Sequence, residues 1–128
     1  LGSKNTVSFS IKEAIMNGVI PGPRILVAGT PITTTAGHCY FFGTEANSQE
    51  EILQAVRNQV KLGADCIKIM STGGNFTPRS NPRRAQFSQK LLQNFGNKLG
   101  FDAGKGYIKD AISKYPAFQS NGKFDVIK

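Results

Sequence analysis

Tryptophan is absent, histidine occurs once, cysteine twice, and only eight carboxylates are spread over 128 residues. So sparse a set leaves few ways to build a metal site or an acid/base pair from this chain alone. No apolar run approaches the roughly 20 residues that a membrane-spanning helix requires, so no membrane partner is expected. Cys39 and Cys66 have no CxxC spacing and belong to no cysteine framework, and both read as reduced thiols of a cytoplasmic chain. Neither an initiator Met nor the basic-then-apolar pattern of a signal peptide opens the chain at Leu1-Gly2-Ser3, which reads as an internal start.

What is present suits a globular fold. Hydrophobic residues make up 39% of the chain, nine are Phe, and 19% are charged, a balance too apolar for wholesale disorder. The length allows one ordinary domain that buries roughly two-thirds of its unfolded surface. The net charge of +8 comes from the second half: residues 1–64 hold five Lys/Arg against four Asp/Glu, and residues 65–128 hold eleven against four. Arg79, Arg83, Arg84, Lys90 and Lys98 lack interleaved aromatics and any helix-turn-helix pattern, which argues against a nucleic-acid partner. They read as a solvated face on which one Arg could hold a substrate carboxylate.

Ser10 and Glu13 have capping-box spacing and predict a short helix with Ile11, Ala14 and Ile15 as its apolar stripe, ended by Gly18 at the C′ position. Residues 24–29 are a compact apolar run of strand length. Residues 30–47 show neither period and read as a long loop. Ser48 and Glu51 repeat the capping spacing and predict a second helix with Ile52, Leu53, Val56 and Val60 on its buried face. Residues 64–70 form a second buried strand, ended by Ser71-Thr72-Gly73-Gly74. Helix, turn, buried strand and glycine loop make one α/β repeat, and residues 10–29 make another. Ser88 can cap a third helix carrying Leu91, Leu92, Phe95 and Leu99. Residues 107–115 fit a fourth helix, and residues 123–127 a terminal strand.

Lys68 is the most informative residue. In a strand it shares one face with Cys66 and Met70, while Ile67 and Ile69 occupy the other. It either snorkels to solvent or pairs with a carboxylate, or it is a buried amine available for Schiff-base chemistry or for carbamylation by carbon dioxide. A carbamylated lysine is a carboxylate and can ligate a divalent metal that activates water. The Thr72-Gly73-Gly74 loop could cradle an anion with its backbone amides, take unusual backbone angles, or contact a substrate at a strand's C-terminal end. His38 is either an ordinary surface residue or a ligand contact. A catalytic pair with Cys39 is geometrically poor, because adjacent side chains in extended backbone diverge.

Ile20-Pro21-Gly22-Pro23-Arg24-Ile25, the run from Pro31 to Cys39, Gly63-Ala64-Asp65-Cys66-Ile67-Lys68-Ile69, Thr72-Gly73-Gly74, Ser80-Asn81-Pro82 and Gln86-Phe87-Ser88 together resemble the amidohydrolase superfamily. More narrowly, they resemble its imidazolonepropionase-like and prolidase-like metal-dependent hydrolases. The resemblance runs in order over residues 1–92. It implies an α/β fold that is part of a (β/α)8 TIM barrel, about strands 3–4 with their helices. Residues 1–99 would form this segment, and residues 100–128 an unassigned helix-strand tail.

It also implies a divalent metal, zinc, held in the full-length parent by an early His-x-His pair, a carboxylated strand lysine, two later histidines and a late aspartate. Lys68 falls at the lysine. His38 falls in a substrate-binding loop, and Ser71, Thr72, Gly73 and Gly74 would line the catalytic face, with Arg83 as a further substrate contact. The departures are equally plain: no His-x-His, no His-bearing strand near residues 101–110 and no closing aspartate occur here. The expectation is therefore a fragment of an enzyme that hydrolyses the C–N bond of a small amide or dipeptide by metal-activated water, inactive as the isolated chain. An alternative is an α/β module binding an anionic ligand through Thr72-Gly73-Gly74 and the Arg cluster. A third is a segment that does not fold stably alone, since a few barrel strands leave unpaired edges. The oligomeric state stays open.

Overall fold

The structure, a computed structural model, describes residues 2–98. In chain order it contains α1 (Val7–Met16), β1 (Ile32–Thr33), β2 (Thr44–Glu45), α2 (Gln49–Lys61) and α3 (Gln89–Lys98). The helix and strand expected at residues 107–115 and 123–127 lie outside the described residues, as does the tail at 100–128. Among the described residues no helix is long and apolar enough to cross a membrane.

The two capping-box expectations have opposite outcomes. At α2, the Ser48 hydroxyl accepts from the Glu51 amide at 3.2 Å, and the Glu51 carboxylate accepts from the Ser48 amide at 3.0 Å and the Asn47 amide at 2.6 Å. Those two amides hold the Glu51 carboxyl below the usual carboxylate range. At α1 the helix starts one turn earlier than expected. Thr6 is the N-cap, its carbonyl accepting from the amides of Phe9 and Ser10, and it makes no side-chain capping bond. Ser10 lies inside the helix, its hydroxyl donating back to the Thr6 carbonyl at 3.4 Å. The C-terminus follows expectation: Gly18, at φ +68°, donates to the Ile15 carbonyl, and Val19 donates to that of Ala14, the two bonds of a Schellman ending.

α2 buries Ile52, Ala55, Val56 and Gln59, the i, i+3, i+4, i+7 positions of one face. Val60, expected on that face, is 49% exposed. Gln59 takes the inner position, its amide nitrogen donating to Thr30 Oγ1 at 2.7 Å while its Oε1 is buried without a partner among the described residues. Ile52, Val56 and Ala55 meet Ile32, Ala46 and Phe87 in the core, with Leu53, Ile67, Ile69, Leu91 and Leu92 packed around it. Leu91 and Leu92 therefore carry the expected inner face of α3, while Phe95 and Leu99 fall outside the described side chains.

The expected strands at 24–29 and 64–70 are not continuous strands, and the loop expected at 30–47 contains the two that form. β1 and β2 pair in parallel, with Ile32 opposite Thr44 and Thr33 opposite Glu45. The 64–70 run still lies parallel to the chain leading into β1. The Asp65 amide donates to the Val27 carbonyl, that of Ile32 to Lys68, and that of Met70 to Ile32, each at 2.8 Å, with an isolated bridge at Ile32–Ile69. Val27 and Ala28 are buried, but Leu26 is 60% exposed, so the expected cover on both faces holds only at the end of the run nearest β1. Beside the two-residue β1–β2 ladder, the pairing of the 64–70 run with β1 is a single parallel bridge.

Asp65 fastens this region to α1. Its carboxylate accepts from Lys12 Nζ at 2.6 and 2.7 Å and from the Val27 amide at 2.8 Å. The Lys12 hydrogen bond, then that amide, hold its carboxyl below the usual value. A lowered carboxyl stabilises the fold above its unfolded pKa of about 3.9, and that contribution is lost as pH falls through the folded value. The melting temperatures of the native chain and Asp65→Asn should therefore differ at neutral pH and begin to converge only as the pH falls below about 4. A constant gap across that range would show that the pair does not couple to folding.

Candidate functional site

Alternation along residues 67–70 places Ile67 and Ile69 against the core, as the strand reading of this run expects, even though a continuous strand is absent. Lys68, Ile69 and Met70 line a cavity of about 420 Å³ whose other walls are Gly2, His38, Phe42 and the run on to Gly73. Lys68 is half-buried. Lys12–Asp65 is the only ion pair among the described residues, so the paired-lysine reading finds no carboxylate for Lys68 there.

His38 reaches this cavity through a compact loop between β1 and β2. Ala36 and Cys39 adopt left-handed backbone, at φ +53° and +60°, and turn the loop back on itself. Gln86 clamps it from below. Gln86 Oε1 accepts from the His38 amide at 2.5 Å, while its nitrogen donates to Thr33 Oγ1 at 3.0 Å and to the Met70 carbonyl at 2.7 Å. One side chain thus ties the His38 loop to β1 and to the chain carrying Lys68. Thr77, 2% exposed, holds the ring itself: its Oγ1 lies 3.0 Å from His38 Nδ1 and accepts from the Cys39 amide at 2.8 Å. His38 Nδ1 is therefore directed at Thr77. Cys39 is a buried free thiol and Cys66 an exposed one.

The glycine loop supports the site by close approach. A Cβ at Gly74 would sit 2.5 Å from the His38 ring, so the imidazole lies on a glycine surface. A Cβ at Gly73 would collide with the backbone of Asn81. The Gly73 amide donates to the Arg84 carbonyl at 3.0 Å and the Gly74 amide to Ser80 Oγ at 3.1 Å. Two donors that an anion cradle would need are thus spent within the fold, which weighs against the anion-binding alternative. Thr72 and Gly73 line the Lys68 cavity, and Gly74 backs His38. Arg83 is exposed and lines a separate groove of about 390 Å³ between itself and Ser88, because Asn81 Oδ1 fixes its amide in a turn at 2.9 Å.

Composition and period gave no signal for Thr77. Gln86 belongs to the Gln86-Phe87-Ser88 motif, which carried resemblance but no assigned role.

Among the described residues no three His, Cys, Asp or Glu side chains gather into a metal-binding group. The fit to a metal is therefore partial: Lys68, as its carbamate, would offer one carboxylate arm, and the remaining donors must come from elsewhere.

No family model matches the chain. Ochratoxinase from Aspergillus niger is 31% identical in a match covering 65% of this chain and 22% of that protein. A solved Xaa-Pro dipeptidase with methionine bound in its active site superposes with a TM-score of 0.69 at 32% identity, over 84% of this chain and 29% of that one. A solved amidohydrolase superposes with a TM-score of 0.66 at 25% identity, over 82% of this chain and 30% of that one. The chain thus spans between a fifth and a third of the length of these relatives.

Proposed function

The chain belongs to the amidohydrolase superfamily, and from that premise we propose that it is the segment around strands 3–4 of a (β/α)8 barrel in a metal-dependent enzyme that hydrolyses a C–N bond. The observation that carries this reading is the shared cavity. Lys68 and His38, 30 positions apart in sequence, line it together with Thr72 and Gly73 at the end of the run that bears the lysine. Barrel enzymes place their chemistry at that end.

In this reading Lys68 is carbamylated: its amine nitrogen bonds to the carbon of CO2, a proton leaves, and a carboxylate results. A divalent metal, zinc for preference, supplies Lewis acidity for the activation of water when the parent protein holds it. The residues of this chain bind and orient. Lys68 contributes one metal ligand, His38 contacts the substrate from the β1–β2 loop, and Thr72, Gly73 and Gly74 shape the floor. The substrate class is a dipeptide, an acyl-amino acid or a cyclic amide, and the Xaa-Pro dipeptidase and ochratoxinase relatives support it. Arg83 would reach a substrate only if the wider barrel brings one to its separate groove.

The test uses the parent protein and the 128-residue chain side by side. The parent should release amine from dipeptide or N-acyl-amino-acid substrates, lose that activity to a chelator and regain it with zinc. The isolated chain should give no turnover. Metal-dependent turnover by the isolated chain, or a chelator-resistant parent, contradicts the reading.

A further inference from the structure

We propose that Thr77 is a positioning residue that fixes the tautomer of His38, so that the neutral ring carries its proton on Nε2 and offers an N–H donor at the cavity shared with Lys68. The inference follows from counting protons around one buried oxygen. Thr77 Oγ1 has one hydrogen to donate and two lone pairs. One lone pair is used by the Cys39 amide at 2.8 Å. The remaining neighbour is His38 Nδ1 at 3.0 Å, and two arrangements are open to it.

If Nδ1 carried the proton, Oγ1 would accept twice, and the Thr77 hydroxyl hydrogen would have no acceptor among the described residues on a side chain only 2% exposed. An unpaired buried donor is the more costly state. If Nδ1 is the acceptor, every group is satisfied: the Cys39 amide donates to Oγ1, and the hydroxyl donates to Nδ1. The neutral ring must then carry its proton on Nε2, which has no partner among the described residues. Gln86 holds the loop that carries the ring, accepting from the His38 backbone amide at 2.5 Å, and Gly74 lies close against the ring itself.

The consequence for the site is a choice of ligand chemistry. A ring with Nε2–H offers hydrogen to an acceptor oxygen and cannot act as a base through that nitrogen in the same state. His38 is thereby set to hold a carbonyl or carboxylate oxygen. That last step rests on the substrate reading above; the tautomer does not.

The chain's single histidine makes the test direct, because a 15N-labelled sample gives one imidazole. Long-range proton–nitrogen correlation at about pH 8, above the ordinary imidazole range, reports which nitrogen is protonated. The native chain should show protonated Nε2, a bare Nδ1, and a slowly exchanging Thr77 hydroxyl proton coupled to Nδ1. Thr77→Val, which keeps the shape and removes the hydroxyl, should erase the coupling at Nδ1 and shift the Nδ1 resonance toward that of an acceptor nitrogen with no hydrogen bond, and Thr77→Ser should restore both. A protonated Nδ1 in the native chain overturns the proposal, as does an Nδ1 resonance unchanged by Thr77→Val in a chain with native amide dispersion. If Thr77→Val does not fold, the native hydroxyl coupling and the Thr77→Ser spectrum decide. No substrate enters the measurement, so a correct tautomer with no binding of amides by the parent would defeat the substrate reading alone.

Discussion

Ile52→Ala should cost about 2–5 kcal/mol of stability. Ile52 is fully buried on the inner face of α2, and its neighbours include Ala46 and Ala55, which are too short to fill the space it would leave. The loss combines the transfer energy of three carbons with a cavity that the surrounding Ile32, Val56 and Phe87 cannot collapse into without leaving their rotamers. Ile52→Val should cost about 0.5–1.5 kcal/mol, because it removes one methylene from the same site. Since ordinary domains have about 5–15 kcal/mol in hand, the alanine variant should lower the urea midpoint sharply while the valine variant shifts it slightly. Equal midpoints for the two would show that α2 does not seat Ile52 in a packed core. A broad, non-cooperative transition in the native chain would instead favour a segment that needs the rest of its barrel to fold.

The second large effect concerns activity. Lys68→Ala in the parent should lower amide hydrolysis roughly 100-fold or more, since loss of a supporting partner behind a metal ligand already costs about 10–100-fold and Lys68 is proposed as the ligand itself. Stability should hardly change. Lys68 has no ion-pair partner among the described residues, so removing it leaves no buried carboxylate uncompensated. The split between a collapsed rate and an intact melt distinguishes a chemical lysine from a structural one. A parallel loss of both would place Lys68 in the fold rather than in the reaction.

The readable parts of the sequence were those governed by local rules. Ser48 with Glu51 formed its capping box because both partners fall within one turn of an otherwise amphipathic helix. Gly18 ended α1 for the same kind of reason. Ser10 with Glu13 showed the same spacing but lay inside a helix that Thr6 had already started, and spacing alone does not say which turn is first. The apolar runs at 24–29 and 64–70 were read as buried strands; neither is a continuous strand, and burial is complete only at Val27, Ala28 and Gly29 in the first, while the second sets partly buried Ile67 and Ile69 against the core. Period and composition report burial, whereas a ladder depends on a partner that may be far away in sequence.

The candidate site divides in the same way. Lys68 was conspicuous because a lysine between isoleucines contradicts its surroundings, and the structure puts it in one cavity with His38, Thr72 and Gly73. The roles given to these residues remain proposals. Thr77 and Gln86, which hold His38 in place, were invisible as such. A threonine 39 positions from the histidine it contacts, and a glutamine 48 positions away, carry no local mark of the pairing. The separate placement of Arg83 was equally unreadable, since it depends on the turn fixed by Asn81.

The central claim is that Lys68 serves the reaction as a carboxylate. The most direct test is to assay the Lys68→Ala parent enzyme with and without added short-chain carboxylates such as formate or acetate. The account predicts that activity is lost on substitution and returns in part as the carboxylate concentration rises, because a small acid can take the place of the missing carbamate. Full activity without any addition, or an inactive variant that carboxylates do not rescue while Lys68→Arg retains native turnover, would contradict it.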